Sequence, residues 1–587
     1  MSWRRFLFSV WKIGLQWEWN VLKGAFVNLF GDFPMTCRSV LSESRNGLLR
    51  NTDGGLCGAN EADGGKMTGM GAPDWIFDFT GIRVAAIFSV PTGFGAEYPI
   101  LGALRNTKSQ KEHFVIAPVF RLKFVTLHEV IRESRHMNNL YEERLGTDRM
   151  LPLVFRMALP AVAAQIVNLL YNIVDRIYIG HIPGIGTDAL AGIGVTSSVI
   201  ILISAFSSIV GAGGAPLAAI ALGQGDRERA GKILGNGLVL LLLFTVLTSA
   251  TAYLSMRPLL MAIGASEHTI GYAMDYLSVY LLGTLFVEVS VGLNTFINTQ
   301  GRPGIAMCSV VIGALLNIGL DPLFIFVFDM GVKGAALATI LSQACSAWWV
   351  LHFLTSRKAT LRIERRYMRP DRRIIGATLA LGVSPFIMAS TESLVGFVLN
   401  SGLKVYGDIY ISALAIMQSA MLAVSVPLTG FAQGFIPIVS YNYGHGNRER
   451  VKDCFKIVVR VMFSFNLLLV LFMILFPGLV ASAFTSDERL IATVEHTLPV
   501  FLAGMTIFGL QRACQNMFVA LGQAKVSVFI ALLRKVILLV PLALLLPRWM
   551  GGMGVYAAEG VSDAAAAVCC TLIFVWQFPK ILRKMAR

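Results

Sequence analysis

The sequence predicts an all-α polytopic membrane protein: twelve transmembrane helices in two pseudo-symmetric six-helix lobes around a central cavity. Three observations carry this expectation. Of the 587 residues, 55% are hydrophobic and 14% charged, and mean hydropathy is +0.65. That is more apolar surface than a soluble chain of this size needs to fill a core. Beyond Leu151, twelve apolar segments are each long enough to span a bilayer. Finally, one peptide occurs twice: Gly223-Gln224-Gly225-Asp226-Arg227-Glu228-Arg229 returns as Gly444-His445-Gly446-Asn447-Arg448-Glu449-Arg450, an offset of 221 between residues 223 and 444.

Residues 1–136 stand outside this plan. They show no sustained period and hold five of the nine tryptophans: Trp3, Trp11, Trp17, Trp19 and Trp75. Gly, Asn and Asp are strewn through 46–73. The stretch 5–30 reads as an amphipathic surface helix. Lys12, Glu18 and Lys23 interrupt what would be the apolar core of a secretory signal. The segment is expected to be a disordered N-terminal extension or a mis-called start, with translation beginning near Met137. N-terminal sequencing tests this; a peptide from before residue 137 would refute it.

The expected spans are 152–180, 191–221, 233–255, 270–298, 304–328 and 334–355, then 374–402, 409–439, 455–477, 490–520, 527–547 and 553–578. They divide into an N-lobe, 137–366, and a C-lobe, 367–587. The loop 356–373 holds Arg357, Lys358, Arg362, Arg365, Arg366, Arg369, Arg372 and Arg373. The loops on that side and the C-terminal tail carry about 21 basic residues, against about five on the other side (Arg257, Lys333, Lys404, Arg489, Arg548). Both ends of the bundle are therefore expected in the cytoplasm of a cell-membrane protein. The net charge of +15 sets orientation in this reading and does not call for nucleic acid.

The repeat continues along the chain. Ser198 matches Ser419, Asn294 and Phe296 match Asn516 and Phe518, Gly334 and Ser342 match Gly554 and Ser562, and Pro160 matches Pro385. Offsets stay within 220–225. Six spans per half is an even number, so both halves insert the same way up around an axis along the membrane normal. The twin loops themselves read as charged turns that set topology.

Several function classes find no residues to carry them. The eight cysteines are scattered, without CxxC or zinc spacing, so packed thiols are expected and no metal centre. There is no HExxH, no GxSxG and no paired histidine; His181, His268, His445 and His496 fall at or near span ends. An enzyme is not expected.

Polar residues inside spans are costly, about 2.5–3.5 kcal/mol for a charge at the helix centre, so each is a candidate. In the first span Gln165, Asn168, Asn172 and Asp175 fall within about an 80° arc. In the fifth, Asn317 and Asp321 share a face. Asp175 and Asp321 lie at similar depth, about 9–10 Å from the outer end. If they converge, repulsion and burial favour a shared proton. With the amides of Asn172 and Asn317 the pair offers sodium an oxygen shell instead. Pro322 should kink or unwind the helix beside Asp321. In the second half, Glu392 either attracts a cation or pairs with Arg512. Glu288, Glu559 and Asp563 are further intramembrane acids without an assigned role, and Arg534 and Lys535 are expected to snorkel. Gln165, Asn168, Tyr171, Glu392, Gln418 and Gln511 are the expected substrate-cavity residues.

Two runs carry a family likeness. Tyr171-Asn172-Ile173-Val174-Asp175-Arg176-Ile177-Tyr178-Ile179-Gly180, and the stretch 317–326 followed by 331–339, resemble the first, fifth and sixth helices of the multidrug and toxic compound extrusion (MATE) family. The resemblance runs from about Met137 to the C-terminus and is nearest to the MepA-like and DinF-like branches. It implies antiport by alternating access: a proton or Na⁺ enters while an organic, often cationic, compound leaves, with no cofactor, from a monomer. It places Asp175, Asn317 and Asp321 at the family's N-lobe cation positions. Glu392 matches, one residue shifted, the seventh-helix acid of NorM-type members. Their tenth-helix acid has no counterpart, since Gln511 and Arg512 stand there; this favours coupling in the N-lobe. The alternative, a lipid-linked oligosaccharide or lipid flippase of the same superfamily, would want a strongly cationic cavity, whereas the interior candidates are mainly acidic apart from Arg512.

Overall fold

The computed structural model describes residues 144–585. The expectations for residues 1–136 and for a start at Met137 lie outside the described residues. Within them no strand occurs. We number the long helices α1 (Met150–Gly180), α2 (Gly186–Gly223), α3 (Arg227–Leu254), α4 (Ile270–Thr299), α5 (Pro303–Val327) and α6 (Gly331–Thr355). The second half holds α7 (Arg372–Lys404), α8 (Asp408–Gly444), α9 (Arg448–Leu475), α10 (Glu488–Leu502 with Gly504–Ala520), α11 (Ala524–Met550) and α12 (Gly552–Lys584). Eleven of these are single helices long and apolar enough to cross a membrane; α10 makes the twelfth, bent by 43° at its break.

The two halves pack alike. α1 lies against α5 as α7 lies against α11; α2 against α4 as α8 against α10; α4 against α6 as α10 against α12. Between the halves, α1 runs along α8 and α2 along α7, a pairing that a two-fold swap of the halves maps onto itself. Small residues set the closeness of both crossings. A Cβ on Gly213 of α2 would meet the Thr378 carbonyl oxygen of α7 at 2.5 Å, and one on Gly434 of α8 would overlap the Ala158 backbone of α1. Residues 213 and 434 are again 221 apart.

The doubled peptide now has a local physical reason. Gly223 and Gly444 end α2 and α8, and a Cβ on either would overlap backbone of the other helix, at Tyr441 and Ile220 respectively. His445 Nδ1 lies 3.3 Å from the Gly223 oxygen. Two residues on, Gly225 and Gly446 turn the chain at φ +76° and +81°, which a Cβ would resist. Asp226 and Asn447 then cap α3 and α9, accepting from the backbone N–H of Arg229 and Arg450 at 2.9 and 3.2 Å. Glu228 and Glu449 occupy the first turns, where the helix dipole favours an acid. So each copy is a stop, a turn and a start, and the two copies touch. They close the bundle at the end that carries the basic loops.

The linker between the halves is held at that same end. Asn236 of α3 donates to the carbonyls of Tyr367 and Arg369 and accepts from Asp371 N–H at 2.8 Å. Gln300 accepts from the backbone of Thr360 and Leu361.

The second half departs from the sequence expectation at two cations of α11. Arg534 and Lys535 do not snorkel; both are buried. Arg534 meets the Asp563 carboxylate with two bonds, 2.6 and 3.1 Å, and Lys535 meets Glu559 at 2.8 Å. Arg534 also stands 3.8 Å from Glu559. Glu559 and Asp563 are one turn apart on α12, so one helix face answers both cations. Both cations sit on a π-helical stretch of α11, Leu533–Leu539.

Two outcomes are expected. Gly223→Ala or Gly444→Ala should cost about 1–3 kcal/mol, as overpacking does, read as a lower melting temperature of the purified protein. Gly194→Ala on α2, where a Cβ meets nothing within 4 Å, should change little. Asp563→Asn should destabilise by about 3 kcal/mol by removing the nearer of the two carboxylates that face Arg534. In a double-mutant cycle with Arg534→Gln the two losses should be far from additive.

Candidate functional site

Asp175 and Asp321 converge in the first half. Asp175 is on α1, one turn beyond Tyr171, and Asp321 is on α5; their carboxyl groups stand within hydrogen-bonding reach of each other. Asp321 is fully buried. Its Oδ1 accepts from Asn317 Nδ2 at 3.1 Å, and the same amide approaches Thr339 Oγ1 of α6 at 3.4 Å. Three buried acceptor atoms have no donor: Asp175 Oδ1, Asp321 Oδ2 and Asn317 Oδ1. Buried acceptors without donors are rare and costly. Two carboxyl groups this close need positive charge between them, either a shared proton or a cation. Among the described residues no group of three or more His, Cys, Asp or Glu side chains gathers as a metal site. A sodium ion would have to complete its shell with Asn317 Oδ1 and backbone oxygens.

Pro322 acts on the helix as its position suggests. α-Helix ends there and Leu323–Val327 continues as a π-helical turn. Proline has no N–H to give the preceding turn, and the widened turn absorbs that loss.

The structure adds residues that sequence reading missed. Tyr276 and Tyr280 of α4 are buried and stacked, with ring centroids 6.2 Å apart. The Tyr276 hydroxyl lies near the Thr339 side chain and the Tyr280 hydroxyl near that of Ser204. Thus α1, α2, α4, α5 and α6 all reach the carboxyl pair or its neighbours. The available signal was two tyrosines one turn apart in an apolar span, whose hydroxyls must find partners when buried.

Two cavities flank α1. One of about 300 Å³ is lined by Gln165, Asn168 and Tyr171 of α1, with Asn294, Gln343 and Gln433 facing them. The other, about 180 Å³, is lined by Gln165, Glu392, Gln511, Arg512, Arg534 and Lys535 among others. Gln165 belongs to both walls and donates to Gln433 of α8 at 3.3 Å. Tyr171 lines the first cavity and interacts electrostatically with both acids.

Not every expected site residue joins these groups. Asn172 is exposed, and its amide folds back onto the Asn168 carbonyl at 2.6 Å, away from the Asp175–Asp321 contact. Gln418 is half-buried on α8 and belongs to neither wall. Glu392 is exposed to its cavity and also faces a wider cleft with Ser198 and Lys404. It makes no ion pair with Arg512, whose Nη2 donates to Thr429 at 2.8 Å instead. The expectation of a mainly acidic interior with Arg512 the exception does not hold in the second half, since Arg512, Arg534 and Lys535 share one wall with Glu392.

Comparison with known proteins agrees with this architecture. Multidrug export protein MepA of Staphylococcus haemolyticus (strain JCSC1435) is 23% identical over 425 residues, covering 72% of this chain and 92% of the relative. MepA of Staphylococcus aureus (strain N315) is 24% identical over 431 residues, with the same coverage. A crystal structure of MATE in the bent conformation superposes with a TM-score of 0.70 at 25% identity, covering 76% of this chain and 99% of that one. An outward-facing MATE family transporter of the MOP superfamily gives 0.70 at 24% identity, over 75% and 98%. The MatE family profile matches residues 160–323 and 385–545, one stretch in each half and together more than half of the chain. The chain belongs to the multidrug and toxic compound extrusion (MATE) family.

Proposed function

We propose that the protein exports small organic molecules by antiport, with a proton moving the other way through the first half. Membership of the MATE family makes it a multi-pass membrane transporter and not an enzyme. The MepA relatives, named multidrug export proteins, support multidrug efflux as the activity. The observation that carries the coupling is the Asp175–Asp321 contact with its three donorless oxygens, one helical turn from a cavity that α1 also lines.

In this reading the lobes are 137–366 and 367–587, the basic loops face the cytoplasm, and the carboxyl pair lies toward the outer side. A proton bound between Asp175 and Asp321 draws α1 and α5 together. The two acids with their proton withdrawn repel and let the helices part. Pro160 interrupts the hydrogen bonding of α1 on the cavity side of this site and gives the helix a place to bend. Because α1 forms one wall of the 300 Å³ cavity, its movement changes the space open to cargo. Cation and cargo exchange only if they favour different conformations. Glu392 supplies attraction for cargo with a positive charge. Sodium is the alternative coupling ion, for which the same oxygens would serve.

Efflux of an ethidium-like dye, measured in vesicles with imposed proton and Na⁺ gradients applied separately, tests the reading. The proton gradient should drive transport and the Na⁺ gradient alone should not. Asp175→Asn and Asp321→Asn should each reduce gradient-driven transport roughly tenfold or more, within the usual range of coupling energies. Transport that survives both substitutions would remove the coupling assignment. Asn172→Ala, whose amide stays on its own helix, should reduce transport much less.

A further inference from the structure

We propose that the 180 Å³ cavity of the second half is an oxyanion subsite, in which Arg512 receives a carboxylate or phosphate carried on an apolar body. The proposal rests on the export reading only in taking this cavity as a place where cargo sits.

Three cationic side chains line the wall: Arg512, Arg534 and Lys535. Arg534 and Lys535 are answered from behind, by Asp563 and Glu559 of α12, which are not part of the wall. Arg512 is different. One nitrogen, Nη2, is spent on the Thr429 hydroxyl, a neutral acceptor. Its Nε is buried with no acceptor, and no carboxylate lies within ion-pair distance of it among the described residues. A charged donor withdrawn from water without an acceptor is among the costliest arrangements a fold can keep. The guanidinium as a whole is only part-buried and lines the wall, so its charge, uncompensated by a neighbouring carboxylate, is met by an acid that enters the cavity.

The chemistry of the acid follows from the donors. A guanidinium presents its N–H groups as a planar fork, which fits the two oxygens of a carboxylate or phosphate and gives the strong, charge-assisted form of the hydrogen bond. Gln515 stands ready beside it: its Nε2 points at Met388 Sδ, 3.1 Å away, a weak acceptor that an oxygen would outcompete. The Phe508 ring lies between the cations, with its centroid 5.8 Å from the Arg512 guanidinium carbon and 4.5 Å from that of Arg534. This holds both groups in the cavity wall through their attraction to the ring face.

Apolar residues determine what carries the acid. Met388, Met421, Leu422 and Val426 complete the wall, so the group beside the oxyanion meets hydrocarbon and thioether. Methionines adapt to varied shapes. At about 180 Å³ the cavity is smaller than a typical drug pocket. It suits the acid group and the ring or chain segment next to it, with the remainder extending past Gln165 toward the cavity of the first half. Glu392, the one acid in the wall, is exposed and acts on Arg512 and Arg534 only through space. It disfavours a second negative charge at its end of the cavity, and so selects for a single oxyanion placed at Arg512.

The test is equilibrium binding to the full-length protein in lipid nanodiscs without any gradient, after subtraction of protein-free nanodiscs. The probes are 1-pyrenebutyrate and its methyl ester. The acid should bind about tenfold or more tightly than the ester, the scale of one charge-assisted bond. Arg512→Gln should abolish that preference, and Arg512→Lys should restore part of it. Equal binding of acid and ester to the unaltered protein would overturn the proposal without any variant having to fold. Retention of the preference in Arg512→Gln would overturn it as well. Competition by lysophosphatidate separates the sources: displacement of pyrenebutyrate assigns a lipid phosphate to the site, and its failure assigns a free organic acid. Asp321→Asn should lose gradient-driven export yet keep the acid preference. Loss of coupling and loss of the subsite are thereby read by different experiments.

Discussion

The close crossing of the two halves is the constraint on which the rest of the molecule depends. α2 meets α7, and α8 meets α1, at distances where a single added methyl would strike backbone. Helices in a bilayer gain little from burying apolar surface against one another, because lipid is as apolar as leucine. They associate through packing, and small residues allow the backbones to approach. Gly213 and Gly382 provide that approach at one crossing, and Gly430 and Gly434 at the other. The crossings fix where α1 and α7 lie, and these two helices carry Gln165, Asp175 and Glu392. Gly223 and Gly444 repeat the device at the basic end, where α2 and α8 close the bundle.

On this frame the halves treat buried charge in opposite ways. In the first, two carboxyl groups face each other with oxygens left without donors. In the second, Arg534 and Lys535 are matched by Asp563 and Glu559 across a single helix interface. One arrangement leaves negative charge unanswered; in the other each cation meets a carboxylate, which holds α11 against α12. The repeat makes the contrast legible. Positions 220–222 residues beyond Asp321 hold Pro541, Leu542 and Ala543, so the duplicated helix has no acid with which to build a second pair. Arg512, which has no carboxylate within ion-pair distance among the described residues, is the exception within the second half, and it lines the 180 Å³ cavity.

The Asp175–Asp321 carboxyl pair and the 300 Å³ cavity share α1 and are linked by geometry. Tyr171 lines the cavity and interacts electrostatically with both carboxyl groups. Gln165 then joins that cavity to the one in the second half through Gln433. A movement of α1 is therefore felt at the carboxyl pair, in both cavities and at the α8 crossing.

The sequence by itself determined the fold class, the number of spans and the duplication. Those follow from apolar length, basic-loop asymmetry and a constant offset, which are properties of the chain read in one dimension. It also singled out Asp175, Asn317, Asp321 and Pro322, because a polar residue or a proline in an apolar span is conspicuous wherever the helix packs. Only the tertiary structure decided which of these meet. Asn172 shares the stripe of Asp175 yet turns to its own backbone, because rotation about the helix axis is set by the neighbours of α1 and not by its own pattern. Tyr276 and Tyr280 read as ordinary aromatic residues until α4 lies beside α1 and α6. Arg534 and Lys535 read as snorkelling cations until α12 brings Glu559 and Asp563 against them. The cost of burying a charge depends on what faces it, and what faces it is decided by residues far away along the chain.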